Sequence, residues 1–199
     1  MKKLLLSGVP MLLFFCLAFS PAPRQRTIVI DAGHGGDDAG VIHNEIAEKE
    51  LVLSIASQIK SLNTLNSVSI VLLREEDHFM SPEDRLNTIN SIHPDLLISL
   101  HINYSQNKRE NGISAFVSTS NKHYSESKTI AENMIHTIGT GKLLKKQVKD
   151  VNLYTLNNVM CPALMLEIGY LTNEQDRNYV TSAPGQQEIA RKIIESLSR

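Results

Sequence analysis

From residue 28 onward the chain alternates between two rhythms of apolar residues. Residues 28–30 (IVI) are a short apolar run that halts at Asp31. Residues 48–62 come next, with Leu51, Val52, Ile55, Ala56, Ile59 and Leu62 at the three-and-four spacing of a helix face. Residues 68–73 predict a second strand. Ser81-Pro82-Glu83-Asp84 then reads as a helix start: a capping serine, a proline in the first turn and an acid three residues after the cap. Leu86, Ile89 and Ile92 give that helix its apolar face. Residues 95–101 (DLLISLH) form the near-continuous apolar run of a strand covered on both faces. Residues 112–118 predict another strand. Ile130, Met134, Ile135 and Ile138 mark a helix that ends near Gly139 and Gly141. Residues 151–156 (VNLYTL) and 162–168 (PALMLEI) predict two more strands, and Ile189, Ile193, Ile194 and Leu197 a last helix. Alternating strands and helices with buried strand runs predict an α/β fold. We expect a single domain over residues 24–199, with about six mostly parallel strands in a twisted sheet and helices on both faces.

Residues 1–23 have a different pattern. Lys2 and Lys3 precede an apolar run from Leu4 to Phe19, interrupted by Ser7, Gly8 and Pro10. That is the layout of a secretory signal peptide, and the run is short for a membrane span. An uncleaved membrane-targeting segment is the alternative. Ala18 and Ser20 suit a cleavage site, but Pro21 would follow the cut, and Phe14 and Phe15 fit poorly with lipid attachment at Cys16. We therefore expect export to the periplasm or cell envelope.

Composition adds little but excludes some classes. Of 199 residues, 42% are apolar and 21% charged, enough for one sizeable core. The formal net charge is −1, and losing Lys2 and Lys3 would make it −3, so no basic surface points to a nucleic-acid partner. Tryptophan is absent, which removes the most obvious stacking platform. Beyond residue 23 only Cys161 remains, so no internal disulfide forms; we expect a small buried residue opening a strand.

The unusual polar residues fall at particular places on this map. His34 lies just past the first strand in IVIDAGHGGDDAG, His101 ends DLLISLH, Glu167 ends ALMLE, and Glu48 opens the first helix. Ligands of open α/β sheets bind at the carboxyl ends of strands. Two histidines and a carboxylate on one rim have the composition of a catalytic zinc site. Singly, each residue has a plainer role, as a hydrogen-bonded histidine or a glutamate favouring a helix dipole. Glu167 is harder to explain that way, because a glutamate among Met165, Leu166 and Ile168 is rarely buried without a partner. His43, His78, His93, His123 and His136 lack this context and read as surface or helix residues. A phosphate loop is a poor fit, because GHGGDDAG lacks the Lys-Ser/Thr and GxGxxG patterns and carries Asp37 and Asp38.

These residues resemble the zinc-dependent N-acetylmuramoyl-L-alanine amidases, bacterial cell-wall enzymes of the Amidase_3 type. IVIDAGHGGDDAG is similar to the first zinc-histidine motif, EKELVLSIA to the Glu-Lys motif, LLISLHINY to the second zinc-histidine motif, and PALMLEIGYLTNEQD to the catalytic-glutamate motif. VLLREEDHFMSPEDRLNTIN matches the linking segment, and the likeness runs from about residue 27 to the C-terminus. The resemblance implies one Zn2+ held by His34, Glu48 and His101, with Glu167 as the catalytic carboxylate. Glu45 and Glu50 are register alternatives to Glu48, which is preferred because Lys49 comes directly after it. The implied reaction is hydrolysis of the amide between N-acetylmuramic acid and L-alanine in peptidoglycan. Zinc would polarise the carbonyl, while Glu167 takes a proton from water and returns it to the leaving amine. The glycines around His34 would let the loop turn and leave room for metal and substrate. Asp31 is expected either to orient a ligand by hydrogen bond or to cap its strand, and Asn103 to contact substrate.

The departures from the family pattern are modest. Asp-Ala-Gly stands where Asp-Pro-Gly is common, and HINY replaces the more usual His-Ala-Asn. Some periplasmic relatives carry a long inserted helix that plugs the site until a partner removes it. Only the polar segment YSQNKRENG comes after the second motif here, so we expect no such plug, a monomer, and an activator protein only as an open alternative. The rival readings are another zinc amide hydrolase acting within the stem peptide, and a non-catalytic wall-binding protein.

Overall fold

A computed structural model describes residues 24–198; the expected signal segment lies outside them. The element order is β1 (Arg26–Ala32), a two-residue hairpin of β2 (Ile42–His43) and β3 (Ile46–Ala47), α1 (Glu48–Leu62), β4 (Val68–Leu72), α2 (Pro82–Ile92), β5 (Leu96–Asn103), β6 (Ile113–Val117), α3 (Tyr124–Ile138), β7 (Lys145–Asp150), α4 (Tyr154–Asn158), β8 (Ala163–Tyr170), α5 (Glu174–Val180) and α6 (Ala183–Leu197).

Six strands form one sheet in the order β4-β1-β5-β8-β6-β7. All neighbours pair parallel except β6 with β8, which run antiparallel. Side-chain alternation splits each central strand between two cores. Ile28, Ile30, Leu96, Ile98, Leu100, Leu164, Leu166 and Ile168 pack beneath α1, α3 and α6. Val29, Leu97 and Ala163 face a thinner layer with Leu86, Ile89 and Leu156, which come from α2 and α4. The thin layer stops short of the strands' carboxyl ends, and polar residues appear there at the same alternate positions: Asp31, Ser99, His101 and Glu167.

Local chemistry sets the helix limits. The Ser81 hydroxyl accepts from the Asp84 amide at 3.1 Å, with Pro82 in the first turn, and the chain leaves α2 through His93 in the left-handed region. Asn173 and Ser182 cap α5 and α6 in the same way.

One expected strand is corrected. Residues 151–156 do not form a strand: residues 151–153 are extended linker, and Tyr154 opens the short helix α4. Its Leu156 is buried against the thin side of the sheet. The sixth strand is instead β7, KKQVKD, at the sheet edge. Its lysines mask it, because an edge strand needs no apolar face and charge there discourages pairing with another chain. Cys161 lies buried just ahead of β8, and burial pushes its thiol up to about 11, so it behaves as a small apolar residue.

Candidate metal centre

β1, β5 and β8 are neighbours in the sheet, so the turn leaving β1 and the carboxyl ends of β5 and β8 meet at one rim. Beyond β1 the chain turns at His34, which adopts a left-handed backbone (φ 61°), with Gly35 and Gly36 next at positive φ. The turn is closed by Gly35 and Asp38, which exchange backbone hydrogen bonds of 2.8 and 3.2 Å. His34 Nδ1 lies 2.9 Å from an Asp38 carboxylate oxygen. A carboxylate can only accept, so Nδ1 donates and the Nε2 lone pair points inward.

Glu48 is 2% exposed at the first position of α1. Its Oε2 accepts from the Val41 amide at 2.9 Å and lies 3.2 Å from His34 Nε2. Its Oε1 accepts from the Ile102 amide at 2.9 Å and lies 3.0 Å from His101 Nδ1. Burial acts to raise the Glu48 pKa, but bonds from His101, His34 and Val41 outweigh it and hold the carboxyl far below its usual range. The His34 pKa is raised: burial opposes the charged form, and the Glu48 and Asp38 carboxylates overcome it.

His34, Glu48 and His101 therefore offer ligand atoms within 4.8 Å of one another, from three separate elements. The donor set fits a divalent cation. With Nδ1 of a neutral His34 donating to Asp38, Nε2 and Glu48 Oε2 would oppose two lone pairs at 3.2 Å, a pairing that either a proton on Nε2 or a metal cation between them relieves. Two imidazoles and one carboxylate are also the donor chemistry zinc prefers.

Glu167 sits directly across from His101 in the β5–β8 register. Its Oε2 is buried and has no hydrogen-bond partner. Burial pushes its carboxyl up to about 7, with the nearby Glu48 charge adding to the rise and His101 opposing it. A half-buried carboxyl with an unpartnered inner oxygen beside a cation site is the sort of perturbed group that active sites contain.

Two glycines have roles more specific than leaving room for metal and substrate. A Cβ on Gly33 would lie 2.6 Å from His101 Nε2, inside the imidazole. One on Gly40, where φ is +65°, would lie 2.6 Å from both Glu48 Oε2 and His34 Cδ2. These glycines let the candidate ligand side chains approach each other.

The remaining candidates occupy other places around the rim. Asp31 is buried and bonds to Arg85 and to the Ser99 hydroxyl (3.0 Å), rather than to His34, Glu48 or His101. Asn103 is half-buried on the rim near Glu167, with its Oδ1 accepting from the Tyr104 amide at 2.8 Å. Glu45 and Glu50 are exposed and outside the cluster. Asp38, which orients His34, escaped notice in the sequence; the signal was its place four residues after the histidine. Phe79 and Tyr154 were likewise missed. They are 57% and 52% exposed, and with Leu153 they wall a cleft of about 400 Å³ that opens onto His34 and His101. A second, more open cleft that also borders both histidines is lined by Val41, Asn103, Tyr104 and Glu167.

The family model Amidase_3, N-acetylmuramoyl-L-alanine amidase, matches residues 28–199. The chain is 24% identical over 196 residues to the uncharacterized protein YqiI of Bacillus subtilis, covering 98% of this chain and 95% of that one. It is 29% identical over 169 residues to the N-acetylmuramoyl-L-alanine amidase LytC of the same bacterium, covering 84% of this chain but 34% of LytC. The crystal structure of an N-acetylmuramoyl-L-alanine amidase from Clostridium difficile 630 superposes with a TM-score of 0.82 at 27% identity, covering 88% of this chain and 96% of that one.

Proposed function

The chain belongs to the Amidase_3 family of N-acetylmuramoyl-L-alanine amidases, and on that premise we propose that it hydrolyses the amide joining N-acetylmuramic acid to L-alanine in peptidoglycan, with zinc as its cofactor. One observation carries this reading: Glu167, half-buried with its inner oxygen Oε2 unpartnered, stands opposite a His-Glu-His cluster that fits a divalent cation.

His34, Glu48 and His101 would hold the zinc ion. When bound, that ion supplies Lewis acidity, polarising the scissile carbonyl and making water a better acid. The chain's residues do the rest. Asp38 fixes the His34 tautomer and keeps Nε2 turned inward. Glu48, held ionised by its amide and imidazole partners, contributes a full negative charge. The Glu167 carboxylate takes the proton from the attacking water and returns it to the nitrogen of the departing L-alanine. Burial acts to raise the Glu167 pKa, the direction that suits a group that must do both. The two clefts that border the histidines give the glycan and the stem peptide somewhere to lie.

Export fits this substrate. We assign residues 1–23 as the exporting segment and 24–199 as the catalytic domain, acting as a monomer in the cell envelope. Among the described residues no helix is long and apolar enough to cross a membrane. Residues 104–112, between β5 and β6, hold no helix. On that basis the enzyme works without removal of a plug, so it should act on peptidoglycan with no partner added.

Purified protein with zinc and peptidoglycan should release intact stem peptides, identified by mass spectrometry, while Glu167→Gln binds zinc and loses activity by about 10²–10⁴-fold. Shortened stems would instead identify a peptidase, and equal release by the variant would remove Glu167 from the mechanism.

A further inference from the structure

Two buried arginines are left unexplained by this chemistry. Arg74 is 1% exposed and Arg85 8%. A buried guanidinium is expensive unless it is paired and hydrogen-bonded. Arg85 has the Asp31 carboxylate. Arg74 makes no salt bridge among the described residues, and the nearby Arg85 charge works against it. Its donors go to backbone carbonyls: Nε to Ala32 (2.9 Å), Nη2 to Gly33 (2.8 Å) and to Lys49 (3.0 Å), and Nη1 to Glu76 (3.2 Å). Arg85 gives Nη1 to Ala32 (3.1 Å), Nη2 to His34 (2.5 Å) and Nε to Met80 (3.2 Å).

Three consecutive carbonyls, those of Ala32, Gly33 and His34, thus accept from two guanidinium forks. They span the exit of β1 into the left-handed His34. That backbone conformation is unfavourable for a residue with a Cβ and persists only when its surroundings impose it. The reach of Arg74 to the Lys49 carbonyl matters equally. That carbonyl belongs to the residue after Glu48, so one planar side chain ties the backbone beside His34 to the backbone beside Glu48. Lysine, a single point donor, could not span these carbonyls.

We propose that Arg74 and Arg85 are positioning residues that set the spacing of His34 and Glu48 before any metal arrives, so that the cluster is built by the protein rather than by the ion. The proposal rests on the reading of His34, Glu48 and His101 as zinc ligands. It explains why the fold tolerates two neighbouring buried cations next to a cation site: their rigid forks fix the loop, and Asp31, paired with Arg85, and Asp77 offset the charge.

The test uses the full chain, with zinc affinity measured by competition against a chromophoric chelator and site geometry by the visible spectrum of the cobalt-substituted protein. Arg74→Met keeps the apolar stem, and Arg85→Lys keeps the charge opposite Asp31. Variants that melt cooperatively without metal should bind zinc about 10–100-fold more weakly and show an altered cobalt spectrum. Folded variants with wild-type affinity and spectrum would overturn the proposal and leave the zinc reading intact. Failure of the wild type to bind zinc would overturn both. Should neither variant fold, amide hydrogen exchange of the metal-free wild type decides. Slow exchange at Gly35, unchanged by zinc, supports a loop shaped by the arginines; protection that develops only with zinc overturns it.

Discussion

Glu167 concentrates the tension of this site in one side chain. Its carboxyl is pushed from 4.5 up to about 7 by burial, so the folded protein holds its proton more tightly than the unfolded chain does. The consequence for stability has a definite sign. Below about pH 4.5 both forms are protonated and the group is neutral in effect; as pH rises to 7 the unfolded chain gains by ionising while the native site cannot, and stability is lost. Above pH 7 the full loss is on the order of 3 kcal/mol. Glu167→Gln should therefore melt higher than wild type at pH 8 in the presence of a chelator, and the advantage should vanish near pH 4.5. A bound cation draws the carboxyl pKa down, so zinc should shrink the difference at pH 8. Thermal melts at the two pH values, with and without metal, check all three outcomes. The sequence pointed to this residue because a glutamate inside an apolar strand demands a reason. It did not single out Asp38, despite its place four residues after His34, and it was silent on Arg74 and Arg85, whose partners are backbone carbonyls and the Asp31 carboxylate that only the fold brings near.

At the scale of elements, local chemistry set the limits that were legible. Glu48–Leu62 forms α1 with the limits its periodicity predicts, and Ser81-Pro82 starts α2 as its capping pattern predicts. Because Ser81 supplies a hydrogen bond that an orphan amide would otherwise lack, Ser81→Ala should cost about 1 kcal/mol and lower the melting temperature by about 2–4 °C. A loss well under half of that in calorimetry would mean that the Pro82 turn holds the helix start unaided. The misread elements share a cause. VNLYTL has strand-like residues but its Leu156 is needed as a plug on the thin side of the sheet, and β7 has surface-like residues but lies at an edge where no apolar face is required. Burial, which decides both cases, is a property of place in the fold.

For the whole molecule, the candidate metal centre joins elements that are far apart in sequence: the turn after β1, the start of α1 and the end of β5. An ion bound there favours only the folded form, because the unfolded chain does not hold the three residues together. Zinc at a thousand times its dissociation constant should add about 4 kcal/mol to unfolding, seen as a rise in melting temperature that a chelator reverses. Glu48→Gln should lose most of that rise, since glutamine brings no charge; its single oxygen can accept from only one of the Val41 and Ile102 amides, so the metal-free melt should fall as well. An undiminished zinc shift in this variant would exclude Glu48 from the ligand set.

The order of residues along the chain made β1, α1, β4, α2, β5, β6, α3, β8 and α6 legible, with the capped start of α2 and the placing of His34, His101 and Glu167 near the carboxyl ends of their strands, but not β7, α4 or α5. It also set the parity that puts Ser99 and His101 on one side of β5 while Ile98, Leu100 and Ile102 face the other. These are local matters, decided by apolar periodicity, capping groups and turn residues within a few positions. The assembled fold was needed to fix the strand order β4-β1-β5-β8-β6-β7, and with it that His101 faces Glu167 across a ladder. Strand order depends on which surfaces bury one another across tens of residues, and no local pattern carries that information. The same is true of Gly33, Gly40 and the two buried arginines. Their purpose is close approach to groups brought near by folding, so it becomes readable only once the fold has placed those groups beside them.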